Sequence, residues 1–88
     1  MTIEELIKNN QNLIKMIDDT IANCTFVSML DPKQKDRRNT QIACLEHAKE
    51  CLISANMRFS IGNWDYAFET MKVANFFVEL AKEYGRRV

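Results

Sequence analysis

The chain has 88 residues, with 2 Gly, 1 Pro, 12 basic and 12 acidic residues, and 47% apolar residues. A sheet domain of this size needs a Gly/Pro/Asn-rich turn every ~8–12 residues, which two Gly and one Pro do not supply. The apolar fraction is too high for a disordered tail, and zero net charge excludes a generic polybasic nucleic-acid arm while leaving room for a local basic patch.

The expectation is a single, small, soluble all-α domain. No stretch approaches ~18 consecutive apolar residues, the length a membrane-spanning helix needs. The start, Met1-Thr2-Ile3-Glu4-Glu5, has neither the basic residues nor the apolar run of a secretory signal. Three cysteines, at 24, 44 and 51, read as free thiols in a reducing compartment, which points to the cytoplasm. Cys44 and Cys51 on one helix would be separated by about 10 Å of rise, too far for a disulfide. A chain this short buries only about 60–65% of its unfolded surface. Helical chains of this size commonly gain core by self-association, so a homo-oligomer is expected.

The first helix is predicted over about residues 3–29. Thr2 and Glu5 have the spacing of a capping box. Ile7, Ile14 and Ile21 form one heptad row, and Ile3, Ile17 and Cys24 a second, with Leu6 and Leu13 alongside. Asn10 interrupts the seam. In coiled coils a lone seam Asn sets register or oligomer state at some cost in stability, which makes Asn10 a candidate self-association residue. The plainer reading is a half-solvated Asn near a helix end.

Asp31-Pro32 ends that helix, because the residue before Pro is pushed out of the helical region. The same pair would also suit the start of a new turn, Asp31 as cap and Pro32 at the first position. Residues 33–41 are all polar, with no apolar face to hold them to a core. Residues 30–40 are therefore expected as a polar connector, a loop or a projecting turn.

The second helix is predicted over about 40–61, with Leu45, Ala48, Leu52, Ala55 and Phe59 as its stripe and Gly62 at its end. The third is predicted over about 64–84, with Asn63 as cap, Gly85 just past its end, and the stripe Trp64, Ala67, Met71, Ala74, Val78 and Ala81. Ala48, Ala55 and Gly62 recur every seven residues, as do Ala67, Ala74 and Ala81. Small residues on facing rows let two antiparallel helices approach closely and interlock the large side chains between them. The fold predicted is a three-helix antiparallel bundle. Residues 40–84 form a tight hairpin turning at 61–63, and the first helix is coiled-coil-like.

The turn region, Ala55, Phe59, Ile61 and Gly62, then Asn63-Trp64-Asp65-Tyr66-Ala67, Met71 and Ala74, resembles the middle of a tetratricopeptide repeat over about 20 of the 88 residues. In that family Gly ends helix A, an aromatic opens helix B, and Ala residues seat the two helices together. The resemblance implies hairpin geometry alone. The family's peptide groove needs stacked repeats, and a single unit is present.

The third helix carries more apolar residues than one seam uses. Val73, Phe77, Leu80 and Tyr84 are expected to receive the first helix. Phe68 and Phe76, with Lys72 between them, lie on what should be the wet face. Single exposed aromatics are ordinary, but two Phe eight residues apart on one face read as a partner or self-association patch.

Chemistry finds little support. Cys44, His47 and Cys51 have a C-x2-H-x3-C spacing, but residues seven apart on a helix cannot close around one ion without a further ligand. His47 is the sole base near a thiol, with Glu46 and Glu50 favouring the protonated form, and no glycine-rich turn exists to build an oxyanion site. The acid pairs Glu4-Glu5 and Asp18-Asp19 diverge around a helix. The expectation is a non-enzymatic protein without cofactor or metal.

One electrostatic feature remains. An up-down-up bundle gathers Lys33, Lys35, Arg37 and Arg38 with Lys82, Arg86 and Arg87 at one pole, and Glu4, Glu5, Asp65 and Glu69 at the other. The leading expectation is a self-associating protein-interaction module, a cytoplasmic adaptor or a virus-encoded inhibitor. It would act through the aromatic face of the third helix on a protein partner. The alternative is sequestration of a nucleotide or oligonucleotide at the basic pole, with Tyr84 stacking on a base. Duplex DNA and a membrane surface fit less well: no short groove-reading helix is present, and the first helix's polar face is acidic.

Overall fold

A computed structural model describes residues 1–24 and 31–87, with backbone alone at Arg87. Three helices follow one another: α1 (Ile3–Asn23), α2 (Pro32–Ser60) and α3 (Trp64–Arg87). They form an all-α antiparallel bundle, a rod of 46 × 19 × 17 Å.

α1 starts where Thr2 accepts the Glu5 backbone N–H at 3.1 Å on its Oγ1. Glu4 and Glu5 sit in its first turn, where the helix dipole favours negative charge. It ends at Asn23 with Cys24 as C-cap. The rest of the segment predicted for it, residues 25–29, and residue 30 of the expected connector lie outside the described residues.

α2 begins eight residues earlier than expected, so the polar connector of residues 30–40 is corrected to helix from Pro32 onward. The reason is local. Asp31 accepts the Gln34 backbone N–H at 2.9 Å, and the Gln34 side chain accepts the Asp31 N–H at 3.2 Å. This reciprocal pair satisfies two orphan donors, and Pro32 at the first position is already fixed in helical φ. A helix closes its hydrogen bonds within its own segment, so two polar turns need no apolar face once the start is capped and the rest is anchored.

α2 ends in a Schellman motif. Gly62 has φ of +81°, its N–H reaches Phe59 O at 3.2 Å, and the Asn63 N–H reaches Arg58 O at 2.9 Å. The Ala67 N–H then bonds Asn63 O at 3.1 Å to open α3. α3 runs through Gly85 to Arg87, which corrects Gly85 from a helix stop to a packing residue. A Cβ there would stand 2.5 Å from Gln41 Nε2, so the α2 side chain lies directly over the bare α3 backbone.

Ala48, Ala55, Ala67, Ala74 and Ala81 are all buried, with Leu45, Leu52 and Phe59 interlocked around them. This is the close hairpin that the alternating rows predicted. The antiparallel register is legible in side-chain pairs: Phe59 meets Phe68, His47 meets Phe77, and Gln41 lies on Gly85. Trp64, expected in the buried stripe, is instead 52% exposed. It sits in the first turn of α3, beyond the point where α2 has ended.

α1 lies antiparallel on α2. Asn10 Nδ2 donates to Asn56 Oδ1 at 2.9 Å, and Asp18 pairs with Lys49 at 2.7 Å. Among the described residues, α1 comes within 8 Å (Cα to Cα) of α2 and not of α3. Ile17 of α1 shares a core cluster with Ala81, with Val78 packed against it, and Met71 packs against the second cluster together with Ile3, Leu6 and Ile7. The expectation that Val73, Phe77, Leu80 and Tyr84 receive α1 is thereby corrected. Leu80 is two residues from Val78, about 200° around the helix. Lys49 and Asn56 hold α1 on one flank of α2, while His47 and its Phe77 ring partner occupy the other.

Candidate protein-interaction face

The α2–α3 hairpin has two flanks, and α1 covers one of them. The other presents Tyr66 (58% exposed), Val73 (44%) and Phe76 (61%), with Phe77 and Leu80 half-buried behind them. These residues are held in place. Phe77 stands edge-on to His47 at 4.4 Å between ring centroids, and Phe76 edge-on to Phe77 at 5.4 Å. The Arg58 guanidinium lies 4.1 Å over the Tyr66 ring, a cation–π contact that ties α2 to this edge. Rings fixed by neighbouring rings lose little further freedom when a partner covers them.

Phe68, Lys72 and Phe76 follow at helical spacing along α3. Phe68 leans edge-on against buried Phe59 at 5.1 Å and remains partly exposed. Lys72 reaches back to Glu69 at 3.2 Å, which leaves Phe76 as the outward-facing aromatic of the row. Sequence reasoning missed a second exposed apolar row at the turn end: Ile53, Met57 and Ile61. Ser54, Met57, Arg58 and Ile61 line a shallow concavity of about 240 Å³ there. The signal was the i, i+4, i+8 spacing, on the side of α2 opposite the stripe chosen as core. Between α1 and α3 an apolar groove of about 230 Å³ is lined by Leu13, Met16, Ile17, Leu45 and Val78.

Asn10 is not on an outer surface, which corrects its place in a self-association site. It is 4% exposed, bonded to Asn56, whose Nδ2 in turn donates to Ile7 O at 3.3 Å. It sets register between two helices of one chain, and it is neither half-solvated nor available to another.

The basic pole exists, because Gln41 over Gly85 brings the start of α2 beside the end of α3. Its residues are differently occupied than an anion site needs. Arg38 turns inward, donating from Nη1 to Gln41 Oε1 at 3.0 Å and to Cys24 Sγ at 3.2 Å. The N-terminus of α2 is closed by its own Asp31 carboxylate. Arg86 pairs with Glu83 at 3.5 Å and Lys82 with Glu79 at 3.1 Å. Lys33 and Arg37 are exposed, Lys35 and Tyr84 half-buried.

Burial pushes the Cys44 thiol up from its ordinary pKa, and burial with the nearby Glu50 charge does the same for Cys51. Both favour the unreactive protonated form. Among the described residues, no three His, Cys, Asp or Glu side chains are grouped to hold a metal ion, and no helix is long and apolar enough to cross a membrane. Compared with family models, with curated proteins and with solved structures, the chain matches none.

Proposed function

We propose that the protein is a non-enzymatic interaction module that engages a protein partner through the uncovered flank of the α2–α3 hairpin. One observation carries this reading: Tyr66, Val73 and Phe76 are exposed in one stretch of α3 while the rings behind them are locked against α2. Aromatic residues held rigidly over a half-buried apolar base are the usual anchors of protein interfaces. Adaptor and inhibitor are the roles that suit such a module, since the face supplies affinity and no chemistry.

A photo-crosslinking residue placed at position 73 tests it, with one at exposed Asp19 on the polar side of α1 as control. The expected result is a protein adduct, to the same chain or another, from position 73 alone. Equal labelling from both positions, or none from 73, would reject the face. Tyr66→Ser with Phe76→Ser should also reduce native mass or partner capture.

A further inference from the structure

We infer that the uncovered flank of α3 is occupied by a second copy of the chain, packed antiparallel about a two-fold axis near Phe76. This rests on the interaction reading above and names its partner. Three observations converge on it.

The first is position. α3 spans residues 64–87, and Phe76 lies at its middle. A two-fold axis there overlaps the full length of both helices, about 36 Å. It sets the Val73–Leu80 stretch of one copy on the same stretch of the other, as an isologous contact requires. A standard interface takes about 800 Å² per partner, a modest share of the 6013 Å² this rod exposes.

The second is charge. At the turn end, residues 1–5 and 57–69 carry four acids, Glu4, Glu5, Asp65 and Glu69, and one basic residue, Arg58. At the other end, residues 31–38 and 82–87 carry seven basic residues and three acids. The ends lie up to 46 Å apart, several Debye lengths at physiological salt, so each acts on whatever lies beside it. An antiparallel second copy puts each acidic end beside a basic end, and a parallel one puts like on like. The chain is thus complementary to itself, end for end.

The third is the absence of competition within the chain. α1, the only other helix among the described residues, is held on the opposite flank by Asn56 and Lys49.

Sedimentation of the full chain over a concentration series, at two ionic strengths, tests this. The expected result is a dimer that weakens about tenfold or more as the Debye length falls from ~30 Å to ~8 Å. Val73→Glu with Phe76→Glu should weaken it about a hundredfold or more at unchanged helicity. Val73→Ser with Phe76→Ser serves as the uncharged check. Asp65→Lys with Glu69→Lys should also weaken the dimer, and mixing that chain with a Lys82→Glu, Arg86→Glu chain should restore it as a heterodimer. A dimer indifferent to the changes at 73 and 76 overturns the face, and one that tightens with salt overturns the antiparallel arrangement. A monomer at every concentration up to about 100 µM overturns the inference. In that case a crosslink from position 73 to a different protein would leave the interaction reading standing.

Discussion

Asn10 is the residue whose meaning changed most between sequence and fold. Its amide is buried against Asn56, so removing one partner strands a polar group away from water. Asn10→Ala or Asn56→Ala should each cost about 1–3 kcal/mol in urea unfolding. The double variant should cost clearly less than the sum, which a double-mutant cycle reads directly. Gly85 makes a second residue-scale test. In an open helix Gly→Ala gains about 1 kcal/mol, but here the new methyl displaces Gln41 from Arg38 and Cys24. Gly85→Ala should therefore gain nothing in the native chain and recover that gain in a Gln41→Ala background. The thiols supply a pH dependence. Cys44 and Cys51 are held above their ordinary pKa when folded, so in the alkaline range the unfolded chain loses these protons first. Their contribution is intact below the unfolded thiol pKa of about 8.5 and is lost as pH rises through the higher folded values. The thermal midpoint should fall over that window, and less steeply in Cys44→Ala with Cys51→Ala.

At the scale of elements, α2 depends on its two ends. Asp31→Ala removes the cap that starts the polar turns 32–40 and should cost about 1 kcal/mol. Amide exchange should rise selectively at residues 33–36. Gly62→Ala places a side chain where φ is +81°, and although the space is open, the left-handed conformation should cost about 1 kcal/mol or more. Both ends were written in the sequence as short motifs, Asp31-Pro32 with Gln34 and Ile61-Gly62-Asn63. The first suits a stop and a cap alike, and the sequence favours a connector after it because the following nine residues lack an apolar face, the signal on which helix prediction leans. Arg38 and Gln41 supply a different anchor, a polar one, reaching Cys24 on α1. Nothing in their local spacing announces that contact.

At the scale of the whole molecule, the bundle is uneven. α2 and α3 share a continuous row of buried alanines, whereas α1 rests mainly on α2 through Leu13, Ile14, Ile17 and Ile21. One buried Asn pair and one partly exposed ion pair add to it. The ion pair contributes at most about 1 kcal/mol. Hydrogen exchange should therefore show α1 opening at lower free energy than the hairpin, with α2 and α3 exchanging as one unit. That unevenness also leaves the candidate face uncovered, since α1 lies on the flank opposite Val73, Phe76 and Leu80.

The sequence by itself determined the three helices, the hairpin turn and the alanine rows, because heptad spacing, caps and a single left-handed glycine act within a few residues of one another. It also placed Phe76 outward, since that position lies off every stripe. Only the tertiary structure decided the flank on which α1 lies, that Asn10 bonds within the chain, that Arg38 turns inward and that Gly85 packs against Gln41. Each of these joins residues at least 14 positions apart except the Arg38–Gln41 bond itself. The amphipathic pattern of α1 satisfies either flank of the hairpin equally well. The choice rests on Lys49 and Asn56, two polar side chains of α2 whose partners on α1 lie more than 30 residues away.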